Sequence, residues 1–544
     1  MTRRVALILL AARRAKARLA GLRAVAVWGF AILIGAASAY GVIGFLFAIN
    51  FVSALAFGET EKMIVSGASS LAPFRAWLAP TLGGCAVAGV LYLADKSGWL
   101  GGGRTQGVAD VIEARAIKNG KISARAGAAA AAVSAISIGA GGSAGREGPA
   151  VHLGASIASL LDDKFGFSAQ DRRTLLGCGA AGAVAASFNA PIAGVLFALE
   201  VVMGAYGLSI FGPIAAASVT ASVVARTHLG NFPAVAAPEY GDIANLDVAL
   251  AALLGLLCGL VATTFLLATE QLTLAVRRAA DKRKISYIWL PPVGGAIVGV
   301  IGAIHPEVLG VGYEAVTNVF AGEYSTDLLL VLFALKIAAT AVTLSCRFGG
   351  GVFSPGLVIG AFAGATFGGL VAGEAPTATA GPEFYAMVGM GAASGAIIGA
   401  PISTTLIVFE MTGDYELTVS LILAVALATL VTQGLAGRTF FHWQLSRRGY
   451  DLSEGPQGVI LQTIRVRDVM ERMPPAAPLP DGAARLQTQD SLGKALAELE
   501  KQEEVGLPVV SSRALEEVVG YLSREKALKA YNRALIDSHV EHHR

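Results

Sequence analysis

The chain is 544 residues long, 54% hydrophobic and only 15% charged, with a mean hydropathy of +0.61. A soluble protein of that length exposes far more charge, so the composition excludes an ordinary water-soluble globule and points to a polytopic α-helical membrane protein. The net charge of +3 identifies no partner, because the charges are segregated along the chain.

The first 23 residues carry Arg3, Arg4, Arg13, Arg14, Lys16, Arg18 and Arg23 and no acidic residue. No short apolar core with a small-residue cleavage site follows them, but a long apolar segment, Ala24 to Phe57. The pattern predicts a cytoplasmic amphipathic lead-in helix over 1–23, oriented by the positive-inside rule. Arg438, Arg447 and Arg448 follow the last apolar segment, so both termini are expected in the cytoplasm and the protein in an inner or plasma membrane.

Apolar segments 24–57, 246–269, 326–345 and 415–436 are long enough to span a bilayer. Segments 125–140, 149–161, 178–187, 190–206, 352–373 and 386–398 are short and broken by Gly or Pro, the pattern of half-helices that meet near the midplane. The 66 glycines fit such interrupted, tightly packed helices. Cys85, Cys178, Cys258 and Cys346 stand far apart and suggest neither a disulfide framework nor a metal site. His539, His542 and His543 read as a frayed tail.

The membrane part repeats. Gly145-Arg-Glu-Gly-Pro149 resembles Gly351-Val-Phe-Ser-Pro355 at an offset of 206. Gly179-Ala-Ala-Gly leads to Asn189-Ala-Pro-Ile and Glu200, as Gly391-Ala-Ala-Ser-Gly leads to Gly399-Ala-Pro-Ile and Glu410. These anchors keep their order, so two structurally repeated halves are expected. Whether they are parallel or inverted is left open by the sequence.

Three segments read as helix starts aimed at an anion: Thr105 to Asp110, Gly145 to Pro149, and Gly349 to Pro355. Backbone N–H groups and the helix dipole would bind the ion, each end supplying up to about 2 kcal/mol when partly buried. Several such ends hold an anion and still release it. Arg146 and Glu147 are costly in hydrocarbon, so packing alone does not explain them. Glu147 lies where an anion would bind, which suggests a gate; the structural alternative is an ion pair with Arg146.

Two other patterns fit by chance. Gly141-Gly-Ser-Ala-Gly145 matches a serine-hydrolase elbow at Ser143, but an alanine-rich helix precedes it where a strand is required. Gly177-Cys-Gly-Ala-Ala-Gly182 matches a dinucleotide fingerprint, but lies within an apolar helix, where small residues serve packing. No enzymatic activity is expected.

Taken together, Gly145-Arg-Glu-Gly-Pro149, Asn189-Ala-Pro191, Gly351-Val-Phe-Ser-Pro355 and Phe409-Glu-Met-Thr-Gly-Asp-Tyr415 resemble the marks of the CLC family of chloride channels and proton-coupled chloride transporters, over about residues 24–450. The resemblance implies inverted repeats, a homodimer in the bilayer, and one anion pathway per subunit. It implies that Glu147 is the gating glutamate, released by protonation or by competing anion. Gly145, Arg146, Gly351, Val352 and Phe353 would line the anion sites.

Three departures stand out. Gln106, with Gly107 beside it, replaces the serine usual at the family's first helix start. Phe441 replaces the pathway tyrosine and lacks its hydroxyl. Val201 stands where transporters of the family carry an inner, proton-accepting glutamate, next to Glu200. Valine cannot relay a proton, which favours passive, channel-like conduction, with coupled exchange of chloride and protons as the alternative. Glu200 reads as a helix-packing or interface acid.

After Tyr450 the composition becomes polar and predicts a small cytoplasmic α/β domain over 451–544. A helix is expected from Gln489, strands at Leu507-Pro-Val-Val and Val518-Val-Gly-Tyr-Leu, a helix from Ser523, and a loop over 472–488. Arg465-Val-Arg-Asp-Val-Met470, Asp490-Ser-Leu, Pro508-Val-Val and Val519-Gly-Tyr-Leu-Ser523 resemble a single CBS-type module. Such modules pair, so the partner copy would come from a second subunit, and Glu525 stands near where a ribose of an adenine nucleotide would bind. Apart from that nucleotide no cofactor is expected, chloride being the transported ligand, and no nucleic-acid partner. The expected fold is thus an all-α polytopic membrane protein of two inverted repeats with broken helices, plus a small CBS-like α/β domain.

Overall fold

A computed structural model describes residues 3–100, 105–165, 167–231, 238–374, 379–450, 461–462, 464–476, 484–502, 505–511 and 517–543. The chain divides into two units, Met1–Phe440 and Phe441–Arg544. Phe441 falls in the second of these units.

Among the described residues, the regular elements of the first unit are helices. Its elements are α1 (Arg3–Phe57), α2 (Ile64–Ser70), α3 (Pro73–Lys96), α4 (Val108–Ile117), α5 (Ala124–Gly139), α6 (Glu147–Phe165), α7 (Ala169–Phe188), α8 (Pro191–Phe197), α9 (Leu208–Leu229), α10 (Asn245–Lys282), α11 (Leu290–Ile304), α12 (Tyr313–Phe320), α13 (Thr326–Ser345), α14 (Phe353–Glu374), α15 (Pro382–Ile398), α16 (Pro401–Thr412) and α17 (Tyr415–Ala436). A π-helix, Ala198–Met203, continues α8. The side chains of Ser123, Ser168, Ser325 and Asp414 accept from the third amide of α5, α7, α13 and α17, which fixes those starts. Asn189 (φ 57°) and Gly399 (φ 71°) end α7 and α15 in the left-handed region, and each is followed by Ala-Pro, which opens the next helix.

Among the described residues, eight helices are long and apolar enough to cross a membrane: Val25–Phe57, Pro73–Lys96, Leu208–Leu229, Asn245–Lys282, Tyr287–Ile304, Thr326–Ser345, Phe353–Ala372 and Tyr415–Ser446. Three of these, at 73–96, 208–229 and 287–304, were not among the expected spans. Segment 352–373, expected to be short and broken, forms one continuous helix, because its glycines face close neighbours instead of breaking the chain. A Cβ on Gly360 would lie 2.2 Å from the Gly389 carbonyl oxygen, and one on Gly364 2.0 Å from that of Tyr385. Nor does α1 break at residue 23: it is one helix from Arg3.

The two halves, α1–α9 and α10–α17, are related by reciprocal contacts. Gly84 abuts the Pro291 carbonyl while Gly295 abuts that of Pro80, where α3 packs on α11. The close approach of Gly154 to Gly179 between α6 and α7 recurs as Gly360 to Gly389 between α14 and α15. Likewise Gly35 of α1 abuts Ala217 of α9, and Gly255 of α10 abuts Ala424 of α17. Gly145 and Gly351 form an antiparallel bridge. Segments that meet antiparallel at equivalent positions are what an inverted repeat produces.

All but the first residue of α18 (Phe440–Ser446) falls in the second unit. That unit also holds α19 (Val466–Val469), β1 (Glu471–Ala476), β2 (Leu486–Gln487), α20 (Leu492–Lys501), β3 (Gly506–Val510), β4 (Val518–Ser523) and α21 (Arg524–His543). The sheet order is β1-β4-β3-β2, antiparallel except for β2 with β3. Leu486, Leu492, Leu499, Leu507, Val509 and Leu522 form its core. The loop expected over 472–488 is partly strand: β1 contains Pro474 and Pro475, and it tolerates them because it lies at the sheet edge. Residues 477–483 of that segment lie outside the described residues.

Candidate functional site

Helices α6 and α14 start alike. Ala150 N–H donates to the Arg146 carbonyl and Gly356 N–H to that of Val352, so Arg146 and Val352 are the N-caps. The next two residues of each helix, Glu147 and Gly148, Phe353 and Ser354, have amides with no partner inside the helix. Pro149 and Pro355 follow, with no N–H to satisfy. Two pairs of orphan donors are thus held on buried helix starts.

The bridge between the halves revises the donor set. Gly145 N–H donates to Gly351 O at 2.8 Å, and Gly351 N–H donates to Gly145 O at 2.6 Å. These two amides are committed to each other. The amides of Glu147, Gly148, Phe353 and Ser354 keep no partner inside their helices. Glycine is needed at 145 because a Cβ there would meet Glu147 Oε2 at 2.6 Å and Ser354 N at 3.1 Å.

Those distances locate the Glu147 carboxylate. It starts on α6 and reaches the first turn of α14. Its Oε1 accepts hydrogen bonds from Tyr313 Oη at 3.1 Å and from Ser354 Oγ. Glu147 is 4% exposed, and its Oε2 has no hydrogen-bond partner among the described residues. Ser354 and Tyr313 escaped the sequence reading. Ser354 sits at the helix-start serine of Gly-Val-Phe-Ser-Pro, and Tyr313 follows Gly312 (φ 95°) as the first residue of α12.

Arg146 does not close on Glu147. Its Nη1 pairs with Glu61 Oε2 at 3.0 Å, its guanidinium stacks 4.9 Å over the Tyr313 ring, and its Nε stands 4.0 Å from Glu147 Oε1. Glu61 lies in the 3-10 turn Glu61–Met63 after α1, a Glu-Thr-Glu-Lys stretch that reads as a solvated loop. Arg146 and Glu61 line a cavity of about 380 Å³, together with Lys62, Phe188, Asn189 and Arg226. The Phe188 and Phe353 rings meet edge to face, with centroids 5.2 Å apart.

The third helix start converges on the other two. A Cβ on Gly148 would lie 3.2 Å from Gly351 Cα and 4.0 Å from Val108 Cγ2, at the start of α4. Here too the expected donor is taken, since Gly107 N–H donates to Asp110 Oδ2 at 2.9 Å. Gln106 is half-buried just ahead of it. Phe441 lies in α18 of the second unit and is buried. Val201 is half-buried within the π-helix. Its neighbour Glu200 accepts from the amides of Ile402 at 3.1 Å and Ser403 at 2.8 Å, capping α16.

Ser143 is not on a strand-turn-helix elbow. It follows α5, is fully buried, and its hydroxyl lies 2.9 Å from that of Thr340. Gly177 to Gly182 lie in the interior of α7.

A family model described as voltage gated chloride channel matches residues 99–433. The chain belongs to the voltage-gated chloride channel family. A putative chloride channel protein, ClcB-like, of Ralstonia nicotianae is 32% identical over 396 residues, covering 72% of this chain and 90% of that protein. An H(+)/Cl(-) exchange transporter, ClcA, of Citrobacter koseri is 32% identical over 319 residues, covering 57% of this chain and 66% of its own length. The solved structure of a slow cyanobacterial Cl-/H+ antiporter shares the fold, with a TM-score of 0.68 at 21% identity over 78% of this chain and 97% of that one. The family match includes the three helix starts and Glu147, and ends before Phe441.

Proposed function

We propose that this protein carries chloride, or a similar monovalent anion, across a membrane through a path gated by Glu147, and that conduction is passive. The observation that carries this reading is the seat of Glu147. Its carboxylate lies across the first turn of α14, with Ser354 and Tyr313 donating to it. A negative group held against orphan helix amides is an anion mimic, and an anion that displaced it would find the same donors.

Two observations favour conduction over exchange. Val201 offers no proton acceptor, and Glu200 beside it is committed to the α16 amides. The second reading, coupled exchange, draws on the likeness to the Citrobacter exchange transporter. Reversal potential in liposomes under opposed chloride and proton gradients separates the two. A potential that follows chloride alone supports conduction, and one that shifts with the pH gradient sinks it.

A homodimer with one path per subunit belongs to the same reading. Ile192, Phe211, Ile402 and Ile422, on α8, α9, α16 and α17, leave apolar side chains about half exposed. Mass measurement in detergent tests it. The second unit is read as a CBS-like module that supports the dimer. Glu525 is paired with Lys529, so an adenine nucleotide would have to compete for it, and equilibrium binding with ATP tests that role.

A further inference from the structure

A buried ion pair stands between the cavity and the gate carboxylate. Glu61 and Arg146 are 5% and 4% exposed and line the cavity; Glu147 does not line it. Arg146 faces two carboxylates and is committed to one, at 3.0 Å from Glu61 against 4.0 Å from Glu147. Three atoms at this junction are buried with no hydrogen-bond partner among the described residues: Glu61 Oε1, Arg146 Nε and Glu147 Oε2. The cluster therefore has a second arrangement within reach, in which Arg146 Nε closes on Glu147.

The other charged and titratable groups around Glu61 are accounted for. Lys62 lies beside it in the same turn, and Arg226 of α9 stands across the cavity. Arg226 Nε donates to Asn189 Oδ1. Tyr313 of α12 donates to Glu147. Glu314 of α12 caps α2 by accepting from the Val65 and Ser66 amides. Lys336 of α13 donates to the Val308 and Gly310 carbonyls. On α1, Asn50 accepts from the Glu61 amide. Among the described residues Arg146 is the cation that pairs with Glu61 and also faces Glu147.

We infer that Glu61 is a positioning residue for the gate: its ionised carboxylate holds Arg146 off Glu147, so that Glu147 stays free to leave its seat. The inference rests on the gating role proposed for Glu147. With Glu61 neutral, the Arg146 charge is uncompensated and acts on Glu147 alone. A nearby cation favours the charged form of a carboxylate, which is the seated, blocking form. Unseating by protonation then requires more acid.

The test is anion efflux from liposomes as a function of symmetrical pH, for the wild type, Glu61→Gln, Glu147→Ala and the double variant. Glu61→Gln is expected to move the activating midpoint about one pH unit to the acid side, the lower end of what one close charge does to a carboxylate. In the Glu147→Ala background the same change should leave the profile unmoved. A Glu61→Gln midpoint that stays in place, or moves to the alkaline side, overturns the inference, including when flux falls equally at every pH. A Glu147→Ala protein that keeps the wild-type profile overturns the gate instead. If Glu61→Gln does not fold, Glu61→Asp reads the same quantity: its shorter side chain loosens the pair and should give a smaller acid shift, and no shift overturns the inference.

Discussion

Glu200 and Glu410 close each other's half of the molecule. Glu200 accepts from the amides of Ile402 and Ser403 at the start of α16, and Glu410 accepts from those of Ile192 and Ala193 at the start of α8. Each carboxylate lies near the end of one short helix segment and caps the other. Both prolines that open these helices, Pro191 and Pro401, leave the following amides to be satisfied, and a carboxylate does so with charge as well as geometry.

That pairing gives the first prediction. Glu200→Gln keeps the shape but replaces a charged acceptor with a neutral one, at a cost of about 1–1.5 kcal/mol in stability, the gap between hydrogen bonds to charged and to neutral groups. Thermal unfolding in detergent should show a lower midpoint. Flux per folded molecule and its pH profile should stay as in the wild type. A changed pH profile would give Glu200 a part in proton movement and would count against passive conduction.

The seat of Glu147 gives the second. Tyr313→Phe and Ser354→Ala each remove one donor to a buried carboxylate, worth about 1.5–3 kcal/mol. The seated form should lose occupancy by roughly tenfold or more per donor. Resting efflux at neutral pH should therefore rise in each variant, while efflux in acid, where the gate is already open, should match the wild type. Unchanged resting efflux in both would mean that neither hydroxyl holds the gate.

The sequence carries the proposed gate more openly than its seat. Glu147 shows itself because a charge between glycines in an apolar run has few structural uses, and the repeat of Gly145 at Gly351 pairs the halves before any coordinates do. Ser354, Tyr313 and Glu61 do not show, because each is an ordinary residue where it stands. What gives them their proposed roles is contact across 207, 166 and 85 positions of sequence. The amides of Gly145 and Gly351 were expected to face an ion, but a glycine in a helix start signals close approach without naming the partner, and here the partner is the other glycine. Helices α3, α9 and α11 were missed as spans because of composition: Arg75, Asp95, Lys96 and Arg226 dilute the ends of the first two, and α11 is only 15 residues long.

The glycine contacts predict a packing cost. A Cβ on Gly154 would sit 2.3 Å from the Gly179 carbonyl oxygen, and one on Gly179 2.3 Å from that of Gly154. Backbone on both sides cannot give way as a side chain can. Gly154→Ala and Gly179→Ala should each destabilise by about 1–3 kcal/mol, the usual cost of overpacking. The same change at Gly89, which has nothing within 4 Å, serves as the control. Equal unfolding midpoints for Gly89→Ala and Gly154→Ala would contradict the close approach.

Asp414 predicts an acid limb in stability. It caps α17 through the Leu417 amide at 3.0 Å and accepts from the Tyr240 hydroxyl. Burial works against its charge, but hydrogen bonds from Tyr240 and from the Leu417 and Glu416 amides outweigh it, and hold the carboxyl below its ordinary value of 3.8. A carboxylate depressed in the folded state contributes stability that is fully present above the unfolded value and is lost as pH falls through the folded one. Tyr240→Phe removes one of the depressing bonds. The wild type should therefore unfold at a higher temperature than Tyr240→Phe near pH 6, and the gap should narrow as pH falls from the ordinary carboxyl value of 3.8 through the lowered one, where protonation removes the charge from both. Unfolding scans across that range check it: a gap of constant size through the whole acid limb would mean that Tyr240 stabilises by packing alone and that Asp414 gains nothing from its hydroxyl.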